Sequence, residues 1–133
     1  MKNSLIGLFT LFVSIELAIL PASAEPILQG FYKSLDGKFG HNFKSSGDYS
    51  VTIFDGAMNE SANGLFQQVE GLCWSEPRGG PRILGNVLLY IDQVQCCLKF
   101  RAISDKYAVT KVWVKGTGLG YGICTNQVVI KGQ

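Results

Sequence analysis

Histidine occurs only once in the 133 residues, at His41, so any serine or cysteine nucleophile needing a histidine base must recruit that one. His41 stands between Gly40 and Asn42, just past an Asp36-Gly37 turn signal, and reads as a surface or edge-strand residue. No Gly-x-Ser-x-Gly elbow occurs. Cys-x-x-Cys is absent too, which removes the usual zinc and thiol-redox spacings. The acids are scattered, mostly in or beside turn signals such as Asp36, Asp55, Asp92 and Asp105, where solvated carboxylates belong. That placement argues against a paired-carboxylate site. The chain also lacks a strong charge of either sign. Twelve Lys and Arg oppose ten Asp and Glu, for a net +2 with no block of like charge, so neither nucleic acid nor an acidic membrane surface is implied. The Gly116-Thr117-Gly118-Leu119-Gly120-Tyr121-Gly122 run lacks the third glycine of a dinucleotide loop and the Lys-Ser/Thr of a phosphate loop, and reads as a turn. The expectation is a protein without catalytic residues, metal or cofactor.

What is present starts at the N-terminus. Lys2 is followed by the apolar run Ser4 to Leu20, then Pro21 and the small residues Ala22-Ser23-Ala24. That is the layout of a secretory signal peptide over residues 1–24, with Glu16 as its one unusual feature. Lys2 and Glu16 leave together, so the exported domain, residues 25–133, keeps the net charge of +2. The expected location is periplasmic or extracellular, with no membrane attachment after cleavage. One domain of this size can bury a core of its own.

Val, Ile, Phe and Tyr are frequent after residue 24, and no long helical period appears. Turn signals recur at Asp36-Gly37, Ser46-Gly47, Asp55-Gly56, Asn63-Gly64, Gly79-Gly80-Pro81, Asp92-Gln93, Ser104-Asp105 and Gly116-Thr117-Gly118. They predict strands over residues 28–34, 39–43, 49–54, 65–74, 83–91, 94–103, 107–115 and 121–131. Residues 56–63 are left as a loop with at most one helical turn. Connections this short make hairpins, whereas a parallel crossover needs a dozen or more residues. The fold class is therefore all-β: one small antiparallel up-and-down barrel, or a two-sheet sandwich, of about eight short strands. Gly30-Phe31-Tyr32 resembles the Gly-x-Trp opening of lipocalin-like barrels over three residues, without the tryptophan, and assigns no family.

Alternation in 94–103 points Val94, Cys96, Leu98, Phe100 and Ala102 inward, and Gln95, Cys97, Lys99 and Arg101 to water. Val87 to Ile91 is apolar throughout, which suggests a strand covered on both sides, and Gly85-Asn86 before it suggests a bulge or kink. In the exported domain the four cysteines, Cys73, Cys96, Cys97 and Cys124, are expected to pair. Adjacent Cys96 and Cys97 cannot bridge each other without strain. The alternatives are Cys73–Cys96 with Cys97–Cys124, or Cys73–Cys97 with Cys96–Cys124, in either case on opposite faces of the sheet.

Recognition residues are sought among rigid aromatics and loops. Trp74, Tyr90 and Trp113 are the candidates, with Trp113 set outward between Lys111 and Lys115. Arg78 joins them from the loop Ser75 to Pro81, which Pro77 and Pro81 stiffen. The expected function is a non-catalytic exported binding protein. Its partner is a small apolar ligand, since a barrel of about eight strands is just wide enough to hold one. The rival expectation is an inhibitor or partner of an exported hydrolase that uses the Ser75–Pro81 loop.

Overall fold

The runs between turn signals become eight strands of one closed sheet in the computed structural model, which describes residues 27–56 and 58–132. The expected signal peptide, residues 1–24, lies outside the described residues. In order the strands are β1 (Gly30–Ser34), β2 (Phe39–Phe43), β3 (Asp48–Asp55), β4 (Met58–Ser75), β5 (Ile83–Ile91), β6 (Val94–Ile103), β7 (Lys106–Lys115) and β8 (Gln127–Lys131), with a helical turn α1 (Gly120–Ile123) before β8. Each strand pairs antiparallel with the next, and β8 returns to β1 through Tyr32↔Lys131, Lys33↔Ile130 and Ser34↔Val129. The architecture is thus the up-and-down barrel and not the sandwich.

The turns form where their residues tolerate unusual backbone. Asp92 (φ 53°) and Ser104 (φ 58°) open the two-residue connections β5–β6 and β6–β7. At Asp36 the carboxylate accepts from the backbone N–H of Lys38 (3.0 Å) and the hydroxyl of Ser34 (2.7 Å), and these bonds hold it below its ordinary pKa.

Two expectations about elements fail. Asn63-Gly64 is not a turn, and residues 58–63 of the expected loop are strand: β4 runs for 18 residues from Met58 to Ser75. Gly64 is needed for another reason. A Cβ built on it would collide with the carbonyl oxygen of Tyr90, so its absence lets β4 and β5 approach. Nor does a strand begin at Tyr121. The Gly-rich segment carries partly buried Leu119 and fully buried Ile123 into the barrel mouth, and Cys124 is tied to Cys96 of β6. It is a plug, not a mere turn, and β8 starts only at Gln127.

The barrel interior is filled by rings. Phe43 lies at the centre, 5.0 Å from Phe66, 5.1 Å from Tyr49, 5.6 Å from Tyr32 and 5.9 Å from Phe100 between centroids. Val51, Leu89, Ile91 and Leu98 complete the wall. Truncating a ring of this kind to alanine costs roughly 3–5 kcal/mol in a packed core. Phe100 is held in place by the amide of buried Asn86. Its Nδ2 donates to the Phe100 carbonyl and its Oδ1 accepts from the Phe100 N–H, both at 2.8 Å. Asn86 stands where β5 parts from β6, so its side chain replaces the ladder bonds that end at Val87↔Leu98. The kink suspected at Gly85-Asn86 is this parting, and four residues of β4 between Gln68 and Cys73 bulge opposite it.

Two readings of β6 are corrected. Ala102 is exposed, because beyond Leu98 the strand pairs with β7 alone. Cys97 does face outward but is completely covered, at 0 % exposure. It belongs to a second small apolar cluster on the outside of the barrel, with Cys73, Leu88, Leu72, Val112 and Trp113.

Candidate recognition face

Register places the outward-facing side chains. Residues paired across strands share a face. Leu65↔Tyr90, Tyr90↔Gln95 and Gln95↔Lys115 form one row across β4, β5, β6 and β7. Gln67↔Leu88, Leu88↔Cys97 and Cys97↔Trp113 form the next. The row between them, Phe66↔Leu89, Leu89↔Cys96 and Cys96↔Val114, points into the core. β7 is not a regular strand. Trp113 pairs with Cys97 and Lys111 with Leu98, which leaves Val112 unpaired as a bulge. Val112 and Trp113, though consecutive, therefore both reach the outer cluster. That bulge is why simple alternation did not resolve this strand.

The disulfides are Cys73–Cys97 and Cys96–Cys124, the second of the two pairings left open, and no described cysteine is free. Cys96–Cys124 lies in the barrel core and Cys73–Cys97 outside it. The outer bond ties β4 to β6 across β5, and Gly85 of β5 lies directly beneath both sulfurs, where a Cβ would not fit. It fastens the end of the β4–β5 ribbon, in which Cys73↔Gly85, Trp74↔Leu84 and Ser75↔Ile83 are paired, onto the barrel wall.

Beside this bond Trp74 and Trp113 come together. The indole N–H of Trp113 donates to the carbonyl of Trp74 at 2.9 Å. The guanidinium of Arg82 lies 5.2 Å from the centre of the Trp74 ring, and the ammonium of Lys115 lies 4.7 Å from that of Trp113. The two tryptophans, Leu72 and Leu88, with Gln95 and Lys115, line an open depression of about 300 Å³. Tyr90, 37 % exposed, stands outside it and borders a neighbouring depression of about 370 Å³ with Leu65, Phe66 and Ser46.

Of the four residues singled out, the structure thus brings Trp74 and Trp113 into contact and sets Tyr90 on the adjoining row. Arg78 is apart, exposed at the tip of the β4–β5 ribbon, with no side-chain bond among the described residues. Arg82 is the arginine that meets an aromatic ring, and it also pairs with Glu76 at 2.8 Å. Arg82, Leu72 and Leu65 carry no such expectation from the sequence, whereas Lys115 does, as a lysine beside Trp113. Lys115 follows Trp113 by two residues and so shares its side of the strand, which is the signal that was available.

His41 is corrected outright. It is not on the surface but inside the barrel, 4 % exposed, between Phe39 and Phe43 on the inward side of β2. The Phe-x-His-x-Phe alternation was the signal. The amide of Gln127 donates to the carbonyls of Ile123 (3.1 Å) and Thr125 (3.2 Å), so its Oε1 must accept from the imidazole Nε2–H at 2.8 Å. Nδ1 then accepts from the Tyr49 hydroxyl at 2.6 Å. The chain of bonds is complete with a neutral ring. Burial holds the imidazole below its ordinary pKa, against the opposing bond to Gln127, and burial pushes the Tyr49 phenol up. The network braces the plug that precedes β8.

Compared with known protein families, curated proteins and solved structures, the chain finds no match.

Proposed function

We propose that this chain is an exported, non-catalytic recognition protein that binds another exported protein through the outer face of β4 to β7. The observation that carries the reading is the placement of Tyr90 and Trp113 on one outward face, with Trp74 bordering the same depression as Trp113, while the interior is filled by Tyr32, Phe43, Tyr49 and Phe100. Large aromatic side chains held rigid by their neighbours are the usual anchors of protein interfaces, since little conformational freedom is lost when a partner covers them. The two disulfides fit an oxidising compartment. An exported hydrolase is one class of partner, reached by the Ser75–Pro81 loop at the ribbon tip beside Trp74.

The test is site-specific photo-crosslinking in the native host. A benzoylphenylalanine in place of Tyr90 should give one discrete adduct, and the same group in place of exposed Asp55 at the end of β3 should give none. Adducts from Asp55 alone, or from neither position, would sink the reading. The intact mass of the recovered protein checks export, and it should begin at Glu25.

A second reading has one observation in its favour. A cleft of about 410 Å³ opens at the barrel mouth, walled by Ile27, Leu28 and Phe66 with Lys44 at its side, and is suited to a small apolar ligand. Titration of the protein with decanoate while watching Leu28 and Phe66 by NMR would decide it. Unmoved signals at millimolar decanoate reject this reading.

A further inference from the structure

The aromatic face is not electrically even, and the asymmetry identifies what it meets. At the Leu65 end stands a carboxylate: Asp48 pairs directly with Leu65 across β3 and β4, and its oxygen is already bonded to the Ser46 hydroxyl at 2.9 Å. At the Trp113 end the charges are positive. Lys115 sits over the Trp113 ring at the rim of the depression, and Arg82 sits over Trp74. Further cations follow from the ribbon tip, Arg78, and from the outer side of β6, Lys99. Among the described residues, acids in ion pairs here are Glu76, which engages Arg82 at 2.8 Å, and Glu70, which engages Lys99 at 3.4 Å. Lys115 and Arg78 have no ion-pair partner among the described residues.

We infer that the depression between Trp74 and Trp113 receives one large apolar side chain from an acidic segment of a partner protein, whose carboxylates meet Lys115. This rests on the outer-face reading above and names the chemistry of its partner. The depression of about 300 Å³ is walled by Leu72, Leu88, Trp74 and Trp113, with Gln95 and Lys115 at its edge. Its floor does not yield, because the Cys73–Cys97 bond lies beneath it and the Trp113 indole N–H is already committed to the Trp74 carbonyl. The apolar walls favour an apolar group, and the Gln95 amide at the edge offers a polar contact beside it. Specificity for charge comes from the rim, where a carboxylate gains an unpaired ammonium and a basic segment would meet like charge. A partner docked this way turns its acidic residues towards Lys115 and away from Asp48.

The experiment is selection of random dodecamer peptides on phage against the oxidised protein beginning at Glu25. Enriched peptides should place Phe, Leu or Trp within a few residues of Asp or Glu and carry net negative charge. A synthetic peptide of the enriched sequence should bind Lys115→Glu at least about fivefold more weakly, and Lys33→Glu on β1 unchanged. Lys115 is exposed, so its reversal leaves the core intact. No enrichment, equal binding by Lys115→Glu, or enriched peptides that are neutral or basic overturn the inference. Neutral or basic peptides that still lose binding with Tyr90→Ala would overturn it while leaving the outer-face reading in place.

Discussion

Lowering the pH from 7.5 to 5 should destabilise this barrel through a single residue. His41 is neutral in the folded state, with Nδ1 accepting from Tyr49 and Nε2–H donating to Gln127. Burial lowers its folded pKa below the unfolded value near 6.5. In the window between the two values the unfolded chain binds a proton that the native barrel refuses. Stability is therefore full above about 6.5 and falls as pH drops, by about 1.4 kcal/mol for each pH unit, until the folded pKa is reached. For a domain of this size that slope corresponds to roughly 5–10 °C in Tm per unit. Asp36 acts elsewhere on the scale. Its carboxyl is held below the ordinary value, so its contribution is present above about 3.9 and lost only in stronger acid. Urea titrations of the disulfide-intact protein at pH 7.5, 6.0 and 5.0 read the effect directly, with His41→Gln as control. Glutamine keeps a donor for Gln127 and removes the titrating group, so its midpoints should hardly move over the window. A wild-type midpoint that is constant from pH 7.5 to 5.0, or a His41→Gln protein with the same slope, would refute the reasoning.

Three further outcomes are expected. Asn86→Leu leaves the backbone N–H and carbonyl of Phe100 without their amide partner and should cost at least about 2 kcal/mol in urea unfolding, whereas a loss under 0.5 kcal/mol would mean that water replaces it. Gly64→Ala drives a methyl into the Tyr90 carbonyl and should destabilise by more than about 2 kcal/mol, opposite in sign to a glycine-to-alanine change at an unhindered strand position, and a neutral result would show that β4 can move away. Replacing both Cys73 and Cys97 by alanine opens a loop of 24 residues and should cost about 3 kcal/mol, with faster hydrogen exchange in residues 72–75 and 83–86, and unchanged exchange there would deny the bond its role in fastening the ribbon.

The strands were legible because most of this barrel obeys the period of two and its turns use Asp-Gly, Asp-Gln and Ser-Asp pairs that accept a left-handed backbone. What misled were residues whose reason lies across the sheet. Gly64 looks like a turn glycine along the chain and is a contact glycine against Tyr90. Cys97 follows the outward parity of β6 but is dry, because Leu72, Val112 and Trp113 from two other strands cover it. His41 obeyed the parity of Phe39 and Phe43, yet its polarity suggested water, and Tyr49 together with the distant Gln127 makes a buried imidazole tolerable. The recognition face was half legible: the tryptophans, and Lys115 beside Trp113, stood out along the chain, while Arg82 acquires meaning only from the ring it lies against.

The seam between β1 and β8 is short, three residue pairs that join the two ends of the chain. Its consequence lies in the order of assembly. The barrel cannot close until residues 127–131 have been made and can reach β1, so β1 must wait for the last strand to arrive. Closing a loop that spans the whole domain carries the largest entropic penalty of any strand pairing in it. The cysteines all lie between residues 73 and 124, inside that loop, and both bonds can form before β8 reaches β1. Oxidation thus shortens the search that the final pairing must make, so the two bonds favour closure of the barrel as well as its stability.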